Sequence, residues 1–206
     1  MLASSTIIQE IVTMRRAGLA SLAFFYCDYK EDQKKGPRGF LSSLLVQLCH
    51  QTDSYCEMVF KFYTEHANGS RNPGDHALME CLKNLLKLPG HAPVYVIMDA
   101  LDECSNTSPS AIRSPRKKVL MLLVDLIDSK LPNLRICVTS RPERDIMLVL
   151  DPFVCHSVSL HEESGQKMDI DDYIKSVINT HPKNRRWKAD VKRLVSDVLT
   201  DKADGM

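Results

Sequence analysis

Asp99, Asp102 and Glu103 fall within five residues in the stretch Asp99-Ala100-Leu101-Asp102-Glu103, and Arg141 stands in Thr139-Ser140-Arg141-Pro142-Glu143. Three clustered carboxylates attract a hard cation. Mg²⁺ in such sites takes one or two carboxylates and completes its shell with substrate phosphates and water. Asp99 is the candidate metal ligand. Asp102 and Glu103 are candidates to position or activate an attacking water, because phosphoryl transfer asks mainly for positioning and charge neutralisation. The Arg141 guanidinium could reach a γ-phosphate and read it through paired N–H donors. Plainer roles compete at each position. A carboxylate at a strand end often only forms a turn, an acidic turn is often only solvated, and Arg141 could pair at the surface with Glu143 or Glu103. Thr139 and Ser140 could bond phosphate or water, or simply cap a strand.

Such residues need a frame that brings them together. Val94 to Met98 is a short unbroken apolar run between Pro93 and Asp99, which reads as a strand buried on both faces. Asp99 then lies at its carboxyl end, where open α/β sheets bind ligands. The run with its acidic tail has the form of a Walker B segment. Leu134 to Ser140 is a second strand, and Pro142 puts Arg141 at its exit. Ahead of them, helical spacing covers Leu2 to Arg16, Ala20 to Cys27 reads as a strand, and Phe40, Leu41, Leu44, Leu45 and Leu48 mark a helix. Further helices are expected at Asp53–His66, from an Asp75 N-cap through Leu86, at Arg116–Ser129 and at Asp145–Leu150. Cys155 to Leu160 alternates as a strand would, and amphipathic helices follow at Met168–Asn179 and Lys188–Thr200. Strands alternating with helices predict an α/β fold with a mainly parallel, doubly wound sheet.

The chain has 206 residues, 44% hydrophobic and 26% charged, with a net charge of +1. That composition suits a globular core and gives no bulk attraction to nucleic acid or anionic membrane. The short basic cluster from Lys183 to Lys188 reads as a solvated helix start, so no nucleic-acid partner is expected. No apolar stretch reaches the roughly 20 residues that span a bilayer, so no membrane role is expected either. Seven cysteines without a C-x-x-C spacing read as free, mostly buried thiols in a reducing, cytoplasmic setting. A zinc site at Cys49-His50 and Cys56 lacks the paired spacing. The phosphate-cradling pattern G-x-x-x-x-G-K-[ST] does not occur in the sequence, and Gly36-Pro37-Arg38-Gly39 has neither its spacing nor its Lys-Ser/Thr ending.

Phe24-Phe25-Tyr26-Cys27-Asp28, the Val94–Cys104 segment with Asp-Ala-Leu-Asp-Glu-Cys, and Leu134–Glu143 with Thr-Ser-Arg-Pro-Glu together resemble the NACHT domain of STAND-type P-loop NTPases. The likeness is to the nephrocystin-like N-terminal subgroup of fungal NOD-like receptor proteins, including those tied to heterokaryon incompatibility, and it runs over nearly the whole chain. It implies a P-loop NTPase-like three-layer sheet, with a partial NACHT core over residues 1–162 and the start of a helical lid over 163–206. It also implies ATP or GTP bound with Mg²⁺, and a nucleotide-controlled switch from closed monomer to oligomer. On that likeness Asp99 matches the magnesium aspartate, Asp102 and Glu103 the acidic pair after it, and Arg141 the sensor 1 arginine. The family's first strand and Walker A loop are expected ahead of Leu2, so the chain is expected to be an incomplete, NTPase-derived module, inactive alone. A different class of function is a non-catalytic interaction module that pairs with related NACHT proteins or with itself through an exposed sheet edge.

Overall fold

The buried runs of the sequence form three parallel strands. β1 (Ser21–Tyr26), β2 (Val94–Asp99) and β3 (Leu134–Val138) pair in the order β1-β2-β3. Tyr26 is level with Asp99, and Met98 with Val138. The computed structural model describes residues 2–28, 36–66, 68–106, 114–159, 164–184 and 186–203. The chain divides into two compact units, residues 1–153 and 154–206.

In the first unit, side chains alternate across the sheet as a two-residue period demands. Leu22, Phe24, Tyr95, Ile97 and Cys137 meet Ile8 and Ile11 of α1 (Leu2–Arg16) on one face. Ala23, Phe25, Val96, Met98, Ile136 and Val138 face the main core on the other. That core is closed by α2 (Pro37–Cys49), α3 (Asp53–Glu65), α4 (Asp75–Leu86), α5 (Pro115–Asp128) and α6 (Arg144–Leu150). The result is a parallel α/β sheet with helices on both faces. Gly36-Pro37-Arg38-Gly39 opens α2, with Pro37 in its first turn and Arg38 Nη1 donating to Pro73 O at 2.6 Å. Pro suits that position because the first helical N–H groups have no partner within the helix. Thr52 caps α3 by accepting from Tyr55 N–H. Gly74, rather than Asp75, is the N-cap of α4, and Asp75 is an acid of the first turn, where it complements the helix dipole.

The strand expected at Cys155–Leu160 does not form over Cys155–Ser159, and Leu160 lies outside the described residues. Cys155–Ser159 is exposed throughout, and a short run with no neighbouring ladder among the described residues does not hold an extended chain in place. The second unit contains α7 (Ser164–Thr180) and α8 (Ala189–Ala203). Asp171 accepts from Thr200 Oγ1 at 3.2 Å and pairs with Lys175. No helix among the described residues is long and apolar enough to cross a membrane.

Candidate functional site

β2 ends at Asp99 because Ala100 takes a left-handed conformation, φ 54° and ψ 50°. A residue with a Cβ pays roughly 1–2 kcal/mol for that region, so the turn must be held from outside. β3 holds it. Thr139 N–H donates to Met98 O, Ala100 N–H donates to Thr139 Oγ1 at 3.1 Å, and Leu101 N–H donates to Thr139 O at 3.0 Å. The Thr139 hydroxyl itself donates to Asp99 Oδ1. Asp99 is buried, at 4% exposure. Leu101–Glu103 then closes a single 3-10 turn with Leu101 fully buried, which leaves Asp102 and Glu103 half-buried on its rim.

Arg141 lies across this turn. Its backbone N–H donates to Asp102 Oδ1 at 3.1 Å, and its Nε is 3.5 Å from Asp102 Oδ2, while the side chain is 82% exposed. The ion pair considered with Glu143 or Glu103 is thus made with Asp102 instead, because Asp102 reaches across the gap between the exits of β2 and β3. Thr139 takes the capping role.

Arg116 had been read only as the start of a helix, and it underpins the site. It is 7% exposed. Its Nε donates to Cys104 O at 3.0 Å, its Nη2 to Asp102 O, and its Nη1 lies 3.2 Å from Asp145 and 3.8 Å from Glu143. One buried guanidinium therefore fastens the acidic turn to the start of α6. Its spacing could have shown this, since Arg116, Val119, Leu120 and Leu123 follow i, i+3, i+4, i+7 and place Arg116 on the apolar stripe of α5. Asp102, Glu103, Cys104, Ser105, Asn106, Arg116, Arg141 and Glu143 line an open cavity of about 310 Å³. Asp99 is not in its wall.

Beneath the turn the sulfurs of Cys27 and Cys104 lie 2.9 Å apart and share a hydrogen bond. That bond is the main cause of a divided titration, raising the Cys27 thiol and lowering Cys104. Burial and the nearby Asp102 and Asp99 charges add to the rise at Cys27, and the Arg116 charge adds to the lowering at Cys104. Burial first, and the Glu65 charge second, push the Cys81 thiol up to about 11. None of the seven cysteines is in a disulfide, and three are buried. Cys137 is only half-buried, although its place in an apolar run suggested a core thiol. Among the described residues no group of three or more His, Cys, Asp or Glu could hold a metal ion by itself.

Asp99 has the donor chemistry for a magnesium ion held chiefly by phosphate and water. It offers a hard carboxylate, fixed by Thr139, at the carboxyl end of a central strand. Asp102 suits it less, since both its oxygens face Arg141. Glu103 also lines the cavity, where Glu143 instead approaches Arg116. Residues 1–141 match the family described as nephrocystin 3, N-terminal, a span that covers all three strands and ends at Arg141. No curated protein and no solved structure matches the chain.

Proposed function

The chain belongs to the nephrocystin 3 N-terminal family, and from that premise we propose that its first unit is part of a magnesium- and nucleotide-binding switch of the NACHT, STAND-type P-loop NTPase kind. The observation that carries this reading is the convergence of Asp99, Asp102, Glu103 and Arg141 at one end of a parallel sheet, at the exits of adjacent strands. Asp99 would hold Mg²⁺, which supplies charge neutralisation between nucleotide phosphates. Arg141 is the phosphate contact, its guanidinium exposed while its backbone is fixed by Asp102. Glu103 orients water at the cavity, and Asp102 sets the position of Arg141. The sequence holds no G-x-x-x-x-G-K-[ST] loop, so these residues do not cradle the phosphates by themselves. Binding therefore requires a phosphate loop added to the sheet.

The test is a fusion that places a strand and P-loop ahead of residue 1, titrated with fluorescent ATP and GTP analogues. Asp99→Ala should remove the dependence of binding on Mg²⁺, and Arg141→Ala should reduce the preference for triphosphate over diphosphate. Metal dependence that survives Asp99→Ala would reject the assignment.

The edge of β3 favours a second reading, a non-catalytic module that pairs with related domains or with itself. Backbone groups left open on a strand edge are a template for another strand. A concentration-independent monomer by light scattering, together with failure to capture related NACHT domains, would exclude it.

A further inference from the structure

The register of β1 and β2 places two thiols together that stand 77 positions apart in the chain. Cys27 follows β1 directly, and its N–H donates to Asp99 O at 3.0 Å. Cys104 closes the acidic turn, its N–H donating to Leu101 O at 3.1 Å and its carbonyl accepting from Arg116 Nε. Both backbones are thus anchored beside the site, one by the sheet and the other by the turn and a buried guanidinium. The sulfurs are 2.9 Å apart, within about 1 Å of the 2.05 Å of a disulfide. Cys104 contributes to the wall of the open cavity of about 310 Å³ with only 1% of its surface exposed, so an oxidant must be as small as a peroxide to approach it.

We propose that Cys27 and Cys104 are an oxidation site, a dithiol that closes to a disulfide on meeting a peroxide and so ties the acidic turn to the end of β1. The Cys104 sulfur attacks one peroxide oxygen, the O–O bond breaks, and the sulfur becomes a sulfenic acid as the first water leaves. The Cys27 sulfur then attacks Cys104, the S–S bond forms, the S–O bond breaks, and a second water departs with the remaining thiol proton. Two thiols lose two electrons in all, and one peroxide is reduced to two waters. The inference is independent of nucleotide binding.

The experiment treats the reduced full chain with a few equivalents of hydrogen peroxide, then blocks the remaining thiols after unfolding and maps linked peptides without reductant. A parallel sample is oxidised in urea. The native chain should yield the Cys27–Cys104 peptide as the main linked species, lost again on dithiothreitol. The urea sample should give a mixture of pairings. The exposed Cys56 and Cys155 are replaced by Ser in a second preparation, which must give the same link. A native chain in which Cys27 and Cys104 stay alkylatable, or are linked no more often than in urea, overturns the proposal.

Discussion

The two edges of the sheet are finished in opposite ways. On β1 the residues whose backbone faces outward are Leu22, Phe24 and Tyr26, since Ser21 and Cys27 bond inward to Pro93 and Asp99. A glutamine meets each of the first two. Gln51 Oε1 accepts Leu22 N–H at 2.9 Å and its Nε2 donates to Leu22 O. Gln47 Oε1 accepts Phe24 N–H at 3.0 Å and its Nε2 donates to Phe24 O at 2.7 Å. Each primary amide presents a donor and an acceptor side by side, as a strand does. Gln47 lies in the last turn of α2 and Gln51 just past its end, and together they reach two outward strand positions about 6.6 Å apart. On β3, Asn133 and Thr139 bond inward to β2, so the outward groups belong to Leu134, Ile136 and Val138. Leu134 N–H finds Leu131 O at 3.1 Å. No partner among the described residues meets the outward groups of Ile136 and Val138. One edge is thus met by side chains at Leu22 and Phe24, while the other offers unmet backbone groups at Ile136 and Val138 among the described residues.

Unsealing the closed edge should have the largest effect. Gln47→Ala with Gln51→Ala removes four bonds at about 1 kcal/mol each. Denaturant unfolding should show a loss of about 4 kcal/mol, and sedimentation should show new association as β1 becomes a template. A double variant of unchanged stability would mean that the seal is incidental. Proline separates the two sides of β3 next. Arg135→Pro takes away an N–H that faces β2 and should cost about 3 kcal/mol. Val138→Pro, whose N–H faces outward, should cost about 1 kcal/mol, as edge positions tolerate proline. Equal losses would contradict the assigned edge. The exit of β3, which is not open, gives a third comparison. Thr139→Val leaves Asp99 and Ala100 N–H without their hydroxyl partner and should cost about 1–3 kcal/mol. Denaturant unfolding of the variant checks that loss.

The parallel sheet and the helices of the first unit were legible because their apolar periods are clear, as in Val94–Met98 and in the Leu78, Leu82, Leu85 series. Asp99, Asp102, Glu103 and Arg141 were legible as a group because all four follow strand ends. Cys155–Leu160 misled, since alternation records which side chains could share a face but not whether a ladder is there to receive them. The glutamine contacts were hidden because nothing in the local spacing of Gln47, on α2, or Gln51, just past it, marks a strand partner. Neither residue reports its partner until helix and strand are placed. The Cys27–Cys104 pair depends on the register that sets Tyr26 beside Asp99, a long-range fact absent from local spacing. Arg116 was the avoidable miss, a charge at a position the period assigns to the core.

The most direct test of the functional account is Mg²⁺-dependent nucleotide binding, measured side by side in the folded 206-residue chain and in the same chain with a strand and P-loop supplied ahead of residue 1. The account predicts no saturable binding by the first, and saturable binding by the second that requires both Mg²⁺ and Asp99. Binding by the fusion that ignores both Mg²⁺ and Asp99→Ala would contradict it.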